Sequence, residues 1–264
     1  MKIKDIFLRR LGAAALALTL LMNAAPLSAY AVNDSEGDGA STSDSTDNTA
    51  VTTADNDSSV TALASNSPAL DATAALLVSP DSGMVLYSKN ADQKRYPAST
   101  TKIMTALLTL ENVSNLDETV TSEAVDFENV TADSSNAGIL LGEQVTVRDL
   151  LYALMLPSAN EAAYMLARHV GGSWEQFVDM MNDRAAELGC TGTHFCNPCG
   201  LHEEDHYTTA YDLYLIAKEA MKDVTFRDIV STVQHRMAKT NLHEERIIYT
   251  TNQLIFSSFQ PWSY

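Results

Sequence analysis

Ser99 and Lys102 stand three residues apart at the head of an apolar run, Pro97-Ala98-Ser99-Thr100-Thr101-Lys102-Ile103-Met104-Thr105-Ala106-Leu107-Leu108. Residues three apart on a helix share a face, so the lysine amine can reach the serine hydroxyl and take its proton. A hydroxyl with a neutral amine beside it is the minimal equipment for a serine nucleophile that works without histidine. The pair alone is a weak signal, because ordinary composition gives on the order of one chance Ser-x-x-Lys in a chain of this length. A second polar cluster lies downstream, in Leu156-Pro157-Ser158-Ala159-Asn160-Glu161-Ala162-Ala163. There a proline break between two helical patterns exposes a hydroxyl, Ser158, and a carboxamide, Asn160. Asn160 also fits a plain N-cap of the following helix. The upstream Ser-x-x-Lys tips the balance towards chemistry, since the two motifs together form a known acyl-serine pairing.

These groups need a rigid mount. Ile103, Met104, Ala106, Leu107, Leu108 and Leu110 make the Ser99 helix apolar nearly all round, which predicts a buried central helix. With Ser99 at its N-terminus, free N–H groups and the helix dipole favour developing negative charge there. Ala74 to Val78, the turn residues Ser79-Pro80-Asp81-Ser82-Gly83, and Met84 to Tyr87 read as a β-hairpin. Thr146-Val147-Arg148-Asp149 resembles a capping box before Leu150, Leu151, Leu154 and Met155. A further helix is expected from about Glu161 to His169, stopping at Gly171-Gly172. Ser173 with Gln176 caps another, with Phe177, Met180, Met181 and Leu188 inward and Gly189 closing it. Thr209 with Asp212 caps one more, with Leu213, Ile216, Ala217, Ala220 and Met221 at core spacing. Gln234 to Lys239 and Glu245 to Thr251 read as strands of a second hairpin. The order of strand pair, helices and strands gives an α+β fold.

The N-terminus has the pattern of a secretory signal. Lys2, Lys4, Arg9 and Arg10 precede an apolar core from Leu11 to Met22, and Ala29-Tyr30-Ala31 is a small-x-small cleavage site. The apolar run falls short of the ~20 residues needed to span a bilayer, so residues 1–31 are expected to be a cleaved signal peptide rather than a membrane anchor. Residues 32–70 are rich in Ser, Thr, Asp, Asn and Ala, carry no Lys or Arg and show no apolar period. They read as a disordered acidic linker that cannot offset its ordering entropy. One domain remains, 71–264. The net charge of −17 argues against nucleic-acid or anionic-lipid partners.

Cys196, Cys199, His202 and His206 follow a C-x2-C-x2-H-x3-H pattern. Zinc takes such ligands, but structural zinc sites separate their ligand pairs by a longer loop, so neither a metal nor another cofactor is expected. Cys190 makes the cysteine count three. One disulfide with a free thiol is possible in an oxidising envelope, and the pairing cannot be read from the sequence.

From about Ala74 to Ile255 the chain resembles the penicillin-recognising D-alanyl-D-alanine carboxypeptidases, the low-molecular-weight penicillin-binding proteins of the β-lactamase/transpeptidase-like fold. The resemblance rests on Tyr96-Pro97-Ala98-Ser99-Thr100-Thr101-Lys102, Leu154-Met155-Leu156-Pro157-Ser158-Ala159-Asn160, Thr193-His194-Phe195, Asn197-Pro198 with Gly200-Leu201-His202, His206-Tyr207, Ala210-Tyr211-Asp212 and Thr251-Asn252-Gln253-Leu254-Ile255. It implies that Ser99 attacks the bond between two D-alanines at the end of a peptidoglycan stem peptide, with Lys102 accepting its proton. Ser158 would pass that proton to the departing D-alanine, Asn160 would hold Lys102 and the substrate amide, and β-lactams would acylate the same serine. The family's third element, Lys-Thr-Gly on a strand walling the pocket, is not found in these 264 residues. The expectation is a C-terminally truncated member whose C-terminal sheet strands are missing and whose activity is impaired or lost, since one oxyanion donor alone is worth roughly 10²–10³ in rate. A serine β-lactamase would show Asp where Ala159 stands and a deacylating Glu, which is not evident. A secreted, non-catalytic binder of muropeptides or penicillin is the third reading.

Overall fold

The computed structural model describes residues 70–131 and 133–256. The expected signal peptide and, apart from Leu70, the acidic linker lie outside the described residues. The folded unit begins at Ala72.

The chain enters through an antiparallel hairpin, β1 (Ala75–Val78) and β2 (Val85–Lys89), with a register shift between Leu77 and Val78. A 3-10 turn over Ala98–Thr101 leads into α1 (Lys102–Asn112). Every residue of α1 from Lys102 to Thr109 is buried, as its all-round apolar pattern requires. Two short strands follow, β3 (Thr119–Thr121) and β4 (Gln144–Thr146), paired antiparallel with Thr119 opposite Thr146. Next come α2 (Val147–Met155), α3 (Asn160–Gly171), α4 (Trp174–Glu187), α5 (Ala210–Ala220) and α6 (Val224–Val230). A last antiparallel pair, β5 (Gln234–Met237) and β6 (Arg246–Tyr249), precedes a 3-10 turn over Gln253–Ile255. The fold is α+β.

The anticipated caps form. The Thr146, Ser173 and Thr209 hydroxyls accept from the N–H groups of Asp149, Gln176 and Asp212, each satisfying one of the orphan donors at a helix start. Thr146 and Asp149 do not close a reciprocal box, because the Asp149 carboxylate instead meets His235 Nε2 on β5 at 2.6 Å. Gly172 ends α3 at φ +82°, a left-handed backbone that glycine adopts without steric cost.

α1 is the hub and touches each of α2 to α6. Around it lies one apolar core that includes Met104, Leu107, Leu150, Leu154, Tyr164, Leu166, Phe177, Phe195 and Phe226. The 117–145 stretch places Val120, Ile139 and Val145 in the core and is also tied down by charged groups. Arg168 of α3 donates to both Asp126 carboxylate oxygens, to Glu123 and to the Thr121 carbonyl. Glu143, fully buried, pairs with Arg246 of β6 at 3.0 Å and accepts from the Leu140 N–H and the Thr240 hydroxyl. Burial of so many ionised groups is tolerable only with this degree of pairing.

Candidate active site

Ser99 lies in the middle of the 3-10 turn and is half-buried at the start of α1. The turn is made possible by an unusual backbone: Ala98 has φ +47°. The Asn197–Leu201 loop packs directly behind it. A Cβ built on Gly200 would lie 1.8 Å from the Ala98 carbonyl oxygen, and Gly200 itself has φ +91°, so only glycine fits there. Asn197 shapes this loop from within. Its side-chain oxygen accepts from the N–H groups of Gly200 and Leu201 at 2.7 and 3.0 Å, and its Nδ2 donates to the Leu201 carbonyl and Glu203. Thr105 of α1 donates to the Pro198 carbonyl at 2.6 Å, pinning loop to helix.

Lys102 occupies the space this arrangement creates. It is only 2% exposed, and its Nζ donates to Ser99 Oγ at 3.3 Å, Asn160 Oδ1 at 2.8 Å and the Cys199 carbonyl at 2.9 Å. Burial lowers its pKa from 10.5 to about 8, against the opposing influence of Cys199 and Glu161. Desolvation penalises the ammonium form, so a substantial share of the amine is neutral near physiological pH. A neutral amine at this position would accept the Ser99 proton along the line that now carries the hydrogen bond.

Asn160 is the first residue of α3 and is buried. The N-cap is Ala159, which makes no side-chain capping bond. The capping alternative for Asn160 is therefore excluded: its carboxamide faces Lys102. Its main-chain N–H donates to the Ser135 carbonyl at 2.9 Å. Ser158, two residues earlier, has φ +63°, and its Oγ is buried with no hydrogen-bond partner. A strained backbone and an orphaned hydroxyl in one residue are costs that structural needs alone rarely sustain. The geometry thus joins Ser99, Lys102 and Asn160 by direct hydrogen bonds and sets Ser158 in the adjoining turn, without a direct bond to either Ser99 or Lys102.

Four participants were not foreseen from the sequence. The Cys199 carbonyl is a main-chain group that no residue type advertises. Gly200 and Asn197 stood within the stretch that carried the resemblance, but nothing in their types indicated a cradle for the nucleophile turn. Glu161 follows Asn160 and is 1% exposed. Its Oε1 accepts from the Ala137 N–H at 2.6 Å and, at a long 3.5 Å, from that of Ile139.

The histidines and cysteines of the 194–206 stretch do structural work. His206 Nδ1 accepts from the Cys196 N–H, which leaves Nε2 to donate to the Thr101 hydroxyl at 2.8 Å. Burial pushes its pKa down to about 4. Among the described residues no three His, Cys, Asp or Glu side chains are grouped so as to hold a metal ion, and all three cysteines are free thiols.

A family profile described as D-alanyl-D-alanine carboxypeptidase matches residues 61–260. A D-alanyl-D-alanine carboxypeptidase of Bacillus subtilis is 37% identical over 189 residues, covering 71% of this chain and 48% of that protein. A D-alanyl-D-alanine carboxypeptidase of a Streptomyces species is 40% identical over 169 residues, covering 61% of this chain and 58% of its own length. The crystal structure of the Streptomyces K15 DD-transpeptidase matches with a TM-score of 0.68 at 38% identity, covering 74% of this chain and 78% of that one. The chain spans about half the length of the curated relatives it matches.

Proposed function

The chain belongs to the D-alanyl-D-alanine carboxypeptidase family, and from that premise we propose that it carries the nucleophile half of a serine D-alanyl-D-alanine carboxypeptidase acting on peptidoglycan stem peptides. The observation that supports this most is the buried Lys102 amine, held between Ser99 Oγ and Asn160 Oδ1 with its pKa lowered to about 8.

In the proposed reaction neutral Lys102 takes the Ser99 proton as Oγ attacks the carbonyl between two D-alanines. The bond to the terminal D-alanine then breaks, and its amine leaves with a proton relayed through Ser158, whose hydroxyl has no competing partner. Asn160 keeps Lys102 in place and offers its amide to the substrate backbone. Water afterwards releases the shortened peptide from Ser99. A β-lactam would stop at the acyl stage on the same oxygen. The work is extracytoplasmic in this reading, with residues 1–31 removed as a signal and 32–70 serving as a spacer. Among the described residues no helix is long and apolar enough to cross a membrane.

The 264 residues hold no Lys-Thr-Gly triplet, so the reading includes slow acylation by this chain alone, by at least the roughly 10²-fold that one missing oxyanion donor costs. The test is to purify the secreted chain, expected to start at Val32, and incubate it with a fluorescent penicillin beside the Bacillus relative. Slow labelling that mass spectrometry places on Ser99, and that Ser99→Ala abolishes, is the expected result. A rate equal to the relative's overturns the impairment. Label persisting in Ser99→Ala overturns the assignment of the nucleophile.

A further inference from the structure

Glu161 is a buried carboxylate that the proposed chemistry leaves unused. It sits in the first turn of α3, where the helix dipole favours an anion. One oxygen accepts from the N–H groups of Ala137 and Ile139. The other, Oε2, is buried and has no partner. An unpaired buried oxygen is costly, so packing alone does not account for a glutamate here. The segment it grips is anchored at one end by Ile139, which is buried in the core. A cavity of about 210 Å³ lies against it, lined by Phe127, Val130, Thr131, Asn136, Gly138 and Ile139 together with Glu161. The same segment supplies the Ser135 carbonyl that takes the main-chain N–H of Asn160.

We propose that Glu161 is a positioning residue of this site: its carboxylate ties the 135–139 segment to the start of α3, and through Ser135 that segment fixes Asn160 and hence the amide that grips Lys102. The role rests on the site as read above but not on its turnover. Glu161 also directly follows Asn160, whose Oδ1 accepts from the Lys102 amine, and its charge acts to raise the Lys102 pKa. The groups bonded to the Lys102 amine are the Ser99 hydroxyl, the Asn160 amide oxygen and the Cys199 carbonyl, while the Cys199 thiol and Glu161 act on it at longer range. Burial raises the Cys199 thiol, and burial also raises the Tyr164 hydroxyl behind it, so both stay neutral near neutral pH. Glu203, further off, holds Asn197. Burial raises the Glu161 carboxyl too, but the N–H groups of Ala137, Ile139 and Gly138 oppose that rise and favour its anion. Glu161, when ionised, opposes the loss of the Lys102 proton.

Two readouts that need no catalysis test this. The Lys102 titration is followed by ¹³C NMR of its Cε, assigned by its loss in Lys102→Met, and the amides of 137–139 and Asn160 by hydrogen exchange. Glu161→Gln keeps an oxygen for Ala137 and removes the charge. The expected result is amide protection within about threefold of the parent and a Lys102 midpoint lower by about half a pH unit or more. Glu161→Ala also removes the tie, and the Ala137, Ile139 and Asn160 amides should then exchange at least about tenfold faster. An unchanged midpoint in Glu161→Gln overturns the electrostatic role. Unchanged protection of Asn160 in Glu161→Ala overturns the positional one, and if that variant does not fold, loss of Asn160 protection in Glu161→Asp, which shortens the reach, replaces it. Neither failure touches the labelling test of Ser99.

Discussion

Lys102 carries opposing demands. A base must be neutral to accept a proton, whereas a lysine with three acceptors around it is stabilised as a cation. Burial at 2% exposure decides the contest and brings the pKa to about 8. The sign of the pH dependence follows. Below about 8 the neutral fraction falls tenfold per pH unit, so acylation of Ser99 should rise with pH up to about 8 and level off above it. A stopped assay of fluorescent-penicillin labelling between pH 5.5 and 9.5 reads this directly, and a rate that falls through that range excludes Lys102 as the base. Lys102→Met keeps the length and apolar stem but has no basic nitrogen. It should slow labelling by about 10²–10⁴, the usual worth of a general base, and erase the pH dependence. A variant that labels at the parent rate would show that Ser99 is activated by another group.

At the scale of elements, the nucleophile turn depends on a loop almost a hundred residues away. Gly200→Ala would place a methyl group against the Ala98 carbonyl and force a side chain into a backbone with φ +91°. The displacement would fall on Ser99, so the variant should lose labelling together with about 1–3 kcal/mol of stability in urea unfolding. Intact labelling with unchanged stability would mean that the loop is free to retreat. His206 ties the start of that stretch, at the Cys196 N–H, to Thr101 in the nucleophile turn. Its pKa is lowered to about 4 by burial, while an unfolded histidine titrates near 6.5. The unfolded chain therefore binds the extra proton between those values. The stability His206 confers is full above about pH 6.5 and is lost as the pH falls towards 4, on the order of 3 kcal/mol in all. Urea unfolding at pH 7 and 4.5 should show a steeper loss for the parent than for His206→Gln, and equal losses would remove His206 as the cause.

Periodicity and caps explain why much of this frame was legible in advance. Thr146, Ser173 and Thr209 announced three helix starts, and the all-round apolar run after Lys102 announced the buried hub. β3 and β4 were not foreseen because three-residue strands such as Thr119–Thr121 are too short to show an alternation. α6 spans seven residues and escaped for the same reason, although Asp223 caps it through the Phe226 N–H. In the site, Ser99, Lys102 and Asn160 were visible as side-chain types at fixed spacings. The Cys199 carbonyl and the Glu161 contacts were not, since they come from chain reversal and burial, which local sequence does not encode.

For the molecule as a whole, the balance between apolar exposure and charge sets its behaviour in solution. On β1–β2 the side chains of Leu77, Met84, Val85 and Leu86 are 42–60% exposed. The hairpin is a two-stranded sheet among the described residues, so each strand has an outer edge with unpaired backbone groups. Such an edge is a template for pairing with a second chain. Four half-exposed side chains offer roughly 3–6 kcal/mol on burial, at the low end of the ~4–15 kcal/mol of freedom lost when two chains associate. The net charge of −17 opposes contact further. Association should therefore be weak at low ionic strength and strengthen with salt, which screens the repulsion and leaves the apolar term. Light scattering after size exclusion should give the mass of one chain at low salt and a growing oligomer at tens of micromolar protein in ~0.5 M salt. Val85→Lys with Leu86→Glu puts charge on the edge strand and should restore the monomer at high salt, and a salt-dependent oligomer that survives this double change would place the contact on another surface.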